Sequence, residues 1–422
     1  MNKIIKLLFF GLLLTATCFA QQGFVRVEGT HFTIDGKPYR YIGANYWYGG
    51  LLATNGEKGK QRLKTELDFL KKKGVTNLRI MVGAEGLTTY LYRTPSEKSL
   101  LTAPGKFNEN MAYGLDYLLN ELGKRNMKAV LHFTNTWDWS GGIDQYLEWN
   151  GYGNQPHPKY GGYTWDKNQE YTAKFYTCQP CMDELDAYIK YILHRTNSIN
   201  GKKYTDDTAV MAWEIINEPR PMTQAAVHAF LAWMQHTSAL IKSIDKNHLV
   251  TTGSEGEIAS FNDISIYKQE HTDKNIDYLT IHIWPKNWGW FKDTSIVAGY
   301  QNSVNNALAY IARHLAIAKE LNKPMVIEEF GLPRDSQSFN ISSTTNSRNH
   351  FYDVIFGSMM AHPEIAGANF WAFGGIARPI PGQIFWKNGD EFMGDPGGEE
   401  QGLNSVFDSD VSTWQVIRKY TH

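Results

Sequence analysis

Cysteine, surplus charge and long apolar runs are all scarce in this chain, and each shortage excludes something. Three cysteines stand in 422 residues, and only Cys178 and Cys181 lie outside the first twenty. Their motif, Cys178-Gln179-Pro180-Cys181, could be a redox pair or half of a zinc site. No second pair follows, however, and no thioredoxin-like strand precedes it. A local disulfide or an inert pair is expected, with no metal and no cofactor. The formal net charge is only −1, which argues against nucleic acid or an anionic membrane as partner, since both demand concentrated positive charge. A neutral polymer fits better.

The one marked apolar run, Leu7 to Leu14, follows Lys3 and Lys6 and precedes Thr15-Ala16-Thr17-Cys18-Phe19-Ala20. This order of charged start, short apolar stretch and small-residue end predicts a secretory signal at 1–20, cleaved after Ala20, and an extracellular or periplasmic protein. The run is too short to span a bilayer as a helix. Cys18 raises lipoprotein anchoring as an alternative, but Thr15 and Thr17 stand where such a signal carries apolar and small residues. No Pro/Ser/Gly-rich linker divides residues 21–422, so a single domain, and a monomer, are expected.

Aromatics are plentiful at 14%, and many fall in loop-like stretches, as suits a surface that stacks on sugar rings. Short β-like runs alternate with amphipathic helical ones. Strands are predicted at 39–46, 77–82, 128–133, 210–217, 248–253, 278–284, 324–330 and 368–373, and helices at 60–73, 111–125, 181–197, 225–243, 302–321 and 347–361. Strands linked by helical crossovers in this number predict an α/β fold, a (β/α)8 TIM barrel. Residues 27–40 read as an N-terminal β-hairpin turning at Asp35-Gly36 and plugging the barrel bottom. The long rim loops, 134–170, 254–277 and 374–410, read as substrate walls.

Two segments carry the chemistry. Asn217-Glu218-Pro219 ends VMAWEIINEP and Glu329-Phe330-Gly331 ends PMVIEEFG, so each strand-like run closes on a carboxylate and then a chain breaker. In a barrel this places acids at the reactive rim, on strands four and seven. A carboxylate pair flanking a bond is what glycoside hydrolysis needs: one group protonates the departing oxygen, and the other attacks the anomeric carbon or activates water. Strand alternation lets only one of Glu328 and Glu329 face the mouth, and it cannot put both Asn217 and Glu218 there without a local break. Glu214, four residues before Glu218, reads as a buried acid paired with a cation. His132 reads as structural, and Trp137, Trp139, Trp149, Trp284, Trp288 and Trp371 are candidate sugar platforms.

With Asn45 and Trp47, Arg79, Asn135, the Ser140-Gly141-Gly142-Ile143-Asp144-Gln145-Tyr146 loop, Trp213-Glu214, Asn217-Glu218-Pro219-Arg220, Gly253-Ser254-Glu255-Gly256, His282, Trp284-Pro285, Glu329-Phe330-Gly331 and Trp371, nearly the whole chain after residue 20 resembles glycoside hydrolase family 5. More narrowly it resembles that family's endo-β-1,4-mannanases, to which the Gly-Gly loop and Arg220 point. The resemblance implies a retaining enzyme acting on neutral β-mannan, glucomannan or galactomannan, with Glu218 as acid/base and Glu329 as nucleophile. Glu328 is then expected to face the helices. Asn217 would bond the sugar 2-hydroxyl, Arg79 support the nucleophile and hold it ionised, His282 orient the site, and Trp371 lie under the reacting sugar. Trp47, Asn135, Arg220 and Trp284 complete the expected substrate-binding set. Loops 151–170 and 377–402 match the family less clearly. The alternatives are a β-1,4-glucanase or an exo-acting β-mannosidase on the same barrel, or a non-catalytic glycan-binding barrel. The presence of both acids argues against the last.

Overall fold

The computed structural model describes residues 23–86, 98–291 and 296–421; the signal sequence expected at 1–20 lies outside them. Eight parallel strands form the central sheet: β1 (Tyr41–Asn45), β2 (Asn77–Met81), β3 (Lys128–Asn135), β4 (Val210–Asn217), β5 (Leu249–Thr251), β6 (Leu279–Ile283), β7 (Met325–Phe330) and β8 (Ile365–Phe370). Their order is β5-β4-β3-β2-β1-β8-β7-β6. At the seam between β5 and β6, Asp277 N donates to Val250 O at 2.8 Å and His282 N to Glu255 O at 3.0 Å, which closes the cylinder into a (β/α)8 barrel. Every residue of these strands is buried, as expected where helices cover the outside and side chains fill the inside.

The outer layer is α1 (Gly56–Lys72), α2 (Glu109–Lys124), α3 (Gln179–Leu193), α4 (Val227–Ile244), α5 (Ile264–Thr272), α6 (Ile296–Leu321), α7 (Asn346–Ala361) and α8 (Val411–Lys419). Local signals set their starts: Asn108 and Asp263 accept from backbone N–H groups of the first turns of α2 and α5, and Pro180 stands in the first turn of α3. The sequence pattern predicts neither α5 nor α8. Both have nine residues, which is too few turns for a period to emerge, and α5 divides the stretch predicted as rim loop 254–277.

The last barrel strand begins and ends three residues earlier than predicted, because one apolar run serves two sheets. Ile365–Phe370 belongs to the barrel, whereas Phe373–Gly375 pairs with Val406–Phe407 outside it. At the opposite end of the barrel Val25–Glu28, His31–Ile34 and Lys37–Tyr39 form a three-stranded antiparallel sheet, one strand more than the predicted hairpin. Asp35 and Gly36 turn it with φ of 52° and 70°. Its Val25, Phe32 and Ile34 pack on Tyr41, Val130, Met211, Tyr278 and Val326, so it does cover the barrel bottom. Cys178 and Cys181 are bridged to each other.

Candidate active site

At the carboxyl end of β4 the side chain of Asn217 points inward: its Oδ1 accepts from Arg79 Nη2 at 2.7 Å, and its Nδ2 donates to Asn135 Oδ1 at 3.0 Å. Alternation would turn the next residue away. Instead the backbone of Glu218 adopts φ +54°, a left-handed conformation that costs a non-glycine residue about 1 to 3 kcal/mol. This is the break the sequence demands, and it puts Asn217 and Glu218 on the wall of one cleft.

A second irregularity positions Glu329. In the pairing of β6 with β7, Ile281 stands opposite Ile327 but His282 stands opposite Glu329, so Glu328 is the extra residue of a bulge. The expectation that Glu328 faces the helices is therefore corrected. Its Oε2 lies 3.6 Å from both Arg79 Nε and His282 Nε2, inside the barrel, because a bulge cancels alternation over one residue. Only Glu329 of the two lines the cleft.

Around the two rim acids the donors are dense. Glu329 accepts from an Arg79 Nη1–H and from Trp284 Nε1 at 3.1 Å. Glu218 accepts from Trp137 Nε1, and its Oε1 lies 2.8 Å from His282 Nδ1. The same His282 Nδ1 is 3.4 Å from Glu329 Oε2. Arg79 also clamps Glu214, with Nε donating at 2.8 Å, so Glu214 is the buried paired acid expected. Atoms of Glu218, His282 and Glu329 lie within 4.8 Å of one another.

These groups set one another's protonation. Burial lowers the His282 pKa, but Glu329 and Glu218 outweigh it and push the imidazole up to about 10. Burial raises Glu329, and although His282 and Arg79 oppose it, the carboxyl stands at about 7. Arg79 does pull the nucleophile's pKa down, but desolvation outweighs it and the net shift is upward. At Glu218 burial also raises, but the bond from His282 and its positive charge prevail and hold the carboxyl below its usual value. The direction of these shifts favours a protonated His282, whose Nδ1 is in hydrogen-bond contact with the Glu218 carboxyl. Glu218, His282 and Glu329 are of metal-ligand type, but Arg79 places a positive charge on Glu329 and three N–H donors already occupy the carboxylates. The cluster is built to handle protons.

A cleft of about 850 Å³ opens above the pair. Of the residues singled out from sequence, Trp137, Trp139, Asn217, Glu218, Arg220, Glu255, Trp284, Trp288, Glu329 and Trp371 line it. Trp47, Arg79, Asn135 and His282 do not; they stand behind the wall and position those that do. Trp47 donates from Nε1 to Met393 O and Gly394 O and packs against Trp139 at 5.3 Å. Arg220 forms an ion pair with Glu255 and stacks over Trp137, 5.1 Å from the ring centroid. Sequence reasoning missed Lys159, Trp165, Lys286, Phe385, Glu399 and Glu400 of the lining. Lys159 and Trp165 sit in short helices of a rim connection and the others in irregular stretches, where no periodicity says which way a side chain points; the aromatic content of those loops was the available signal.

Residues 376–405 form a strap over the barrel mouth. Besides Trp47, it is held by Arg62 Nη2 donating to Phe392 O at 2.7 Å, by Arg348 Nη2 donating to Leu403 O at 2.7 Å, and by Asp395, which accepts from the Gly402, Asn404 and Ser405 backbone N–H groups. Further links cross to other rim loops. Lys159 stands 4.0 Å from the Phe385 ring centroid, and Lys286 Nζ is 2.8 Å from Glu400 Oε2. The strap thus ties to the loops after β1, β3 and β6. Among the described residues no such tie reaches the loops after β4 and β5, which carry Arg220 and Ile258.

A (β/α)8 barrel with a buried carboxylate pair on the ends of its fourth and seventh strands, set in an aromatic cleft, defines a glycoside hydrolase. The family model for β-mannosidase-like members of glycoside hydrolase family 5 matches residues 22–422, and the chain belongs to that family. It is similar to mannan endo-1,4-beta-mannosidase 7 of Arabidopsis thaliana, at 28% identity over 83% of this chain and 77% of that one. Mannan endo-1,4-beta-mannosidase 1 of Oryza sativa subsp. japonica is 29% identical over 88% and 82%. Among solved structures, a family 5 mannosidase from Rhizomucor miehei superposes with a TM-score of 0.85 at 32% identity, covering 94% of this chain and 97% of that chain. The endo-beta-1,4-mannanase from Thermotoga petrophila shares the fold at a TM-score of 0.69.

Proposed function

We propose that this chain is an exported hydrolase of β-1,4-mannosidic bonds that acts with retention of configuration and takes single sugars from the non-reducing end of mannan chains and oligosaccharides. The observation that carries retention is the closeness of Glu218 and Glu329: their oxygens come within 4.8 Å. Retaining pairs stand about 5 to 5.5 Å apart, and inverting pairs about 6.5 to 9.5 Å, to admit a water.

The chemistry follows from the donors. Glu329, held by Arg79 and Trp284, attacks the anomeric carbon as the bond to the leaving oxygen breaks. Glu218 delivers a proton to that oxygen. Moving the proton from His282 Nδ1 to Glu218 Oε1 leaves the charge of the cluster unchanged, so His282 serves as its store. In the second step Glu218 takes a proton from water, whose oxygen attacks the anomeric carbon and frees Glu329. Trp371 and Trp284, at ring centroids 5.8 Å apart and nearly perpendicular, supply apolar walls for the sugar ring.

Action at chain ends is supported by the strap, which runs along the cleft and contributes Phe385, Glu399, Glu400 and Leu403 to its lining. The second reading is internal cleavage, as the resemblance implies; it is favoured by relatives whose names specify endo-acting mannosidases. The order of residues 1–20 supports export, and N-terminal sequencing of the secreted protein should begin at Gln21. Product analysis separates the two modes. Linear mannopentaose with its reducing end labelled should yield mannose and labelled mannotetraose first, and proton NMR should show the β-anomer of the released mannose. An initial α-anomer would refute retention; early labelled mannobiose and mannotriose would favour internal cleavage.

A further inference from the structure

Tyr176 is a buried titratable group that the chemistry above does not use. It lies in the turn Ala173–Thr177 before α3, and its hydroxyl donates to the backbone carbonyl of Arg220 at 2.7 Å. Burial raises the phenol's pKa well above its ordinary value, so the group stays a donor. The ring is fixed by Phe230 and Trp233, at centroid distances of 5.3 and 5.4 Å, and Cys178, two residues on, is bridged to Cys181 in the first turn of α3. The carbonyl it holds belongs to an unusual segment. Glu218-Pro219-Arg220-Pro221-Met222 has left-handed backbone at both ends, with φ of 54° at Glu218 and 67° at Met222, and neither is a glycine. Its two prolines carry no N–H, so the segment has fewer donors with which to tie itself to its neighbours. Strain of this kind lasts only where surrounding contacts over-determine it. Glu218 N donates to Gly253 O at 3.0 Å at one end, and Tyr176 grips the middle.

Resting on the mannoside reading above, we infer that Tyr176 is a positioning residue for proton transfer: by holding the Arg220 carbonyl it keeps the strained 218–222 backbone in place and the Glu218 carboxyl aimed at the departing oxygen. Arg220 carries the effect by a second route. Its guanidinium is paired with Glu255 and lies over Trp137, whose Nε1 donates to Glu218. Without the bond from Tyr176 the carbonyl loses a donor, and the backbone can relax toward ordinary φ values, which turns the Glu218 side chain off its line. The net worth of one hydrogen bond and the cost of one left-handed residue are of similar size, so losing that one partner shifts the balance. A misplaced acid slows the step that needs its proton. A good leaving group departs without it.

Tyr176→Phe keeps the ring and removes the hydroxyl. Wild type, Y176F, Glu218→Ala and the double variant are assayed on dinitrophenyl β-mannoside, whose leaving group needs no proton, and on phenyl β-mannoside, whose leaving group does. Circular dichroism and Tm are recorded for each protein. In Y176F, kcat/KM should fall about 10- to 100-fold on the phenyl substrate and stay within about 3-fold of wild type on the dinitrophenyl one. In the Glu218→Ala background, adding Y176F should change kcat/KM on the phenyl substrate by less than about 3-fold, because the residue it acts through is gone. A merely structural role would lower both substrates alike, in both backgrounds. A Y176F enzyme that loses equally on both substrates, loses on neither, keeps its full loss in the Glu218→Ala background, or fails to fold overturns this inference alone. A wild type inactive on both mannosides overturns the mannoside reading and this inference with it.

Discussion

Glu218 and Glu329 share His282, and their different surroundings separate their roles. Glu218→Ala should slow mannan hydrolysis by about 10²- to 10⁴-fold, the range for loss of a general acid–base. It should still turn over an activated aryl mannoside, with azide accelerating the reaction and giving the β-mannosyl azide. Glu329→Ala should lose mannan turnover, because no glycosyl-enzyme forms, and azide should give at most the α-product. A β-azide from Glu329→Ala would exchange the assignments. The pH dependence has a definite sign: the nucleophile must be ionised and burial raises Glu329 to about 7. Activity, read as kcat/KM of the free enzyme, should therefore fall as pH drops through about 7, not through the lower range of an exposed carboxyl. A pH–rate profile checks it. The identities of these acids were legible in the sequence because a strand that ends on Glu and then Pro or Gly puts the acid at a rim. Which carboxyl would be raised was not, since that depends on how deeply each is buried and on a histidine far away along the chain.

Two departures from regularity in single strands make the site, the left-handed Glu218 at the end of β4 and the bulge at Glu328 in β7. The Glu328 carboxyl accepts no hydrogen bond among the described residues and lies behind the cleft, so Glu328→Gln should fold and keep most activity, whereas Glu329→Gln should fold and lose it. A dead Glu328→Gln enzyme would show that its charge is needed beside Arg79 and His282. The strap is the other decisive element. Its links to the loops after β3 and β6 are partly exposed polar contacts, individually worth about 0 to 1 kcal/mol, so removing them should release that part of the strap without unfolding the barrel. In Lys159→Ala combined with Phe385→Ala, the share of oligosaccharides among early mannan products should rise at the expense of mannose, as chromatography of the products would show. Helices α5 and α8 and the strap escaped sequence reasoning for one reason: short or irregular segments acquire their conformation from partners distant in the chain, such as Arg62 and Arg348 for the strap.

At the scale of the whole molecule, the site and the plugging sheet occupy opposite ends of one barrel, which separates stability from activity. Phe32 is buried beneath the barrel, edge-on to Tyr278 with ring centroids 5.3 Å apart. Phe32→Ala should cost about 3 to 5 kcal/mol of stability and leave kcat/KM near wild type at permissive temperature; thermal denaturation with parallel kinetics tests both halves. Limited proteolysis should nick the rim, for instance within 151–170, without releasing a separately folded piece; two stable fragments would refute a single domain. The sequence by itself determined the barrel and the carboxylate pair, because each rests on patterns a few residues long: apolar runs, helical periods, an acid before a chain breaker. Only the tertiary structure decided that Glu328 turns inward, that Trp47, Asn135 and His282 support the wall instead of forming it, and that a strap runs along one flank of the cleft. Those outcomes depend on distances between residues hundreds of positions apart, and only the closing of the cylinder fixes them.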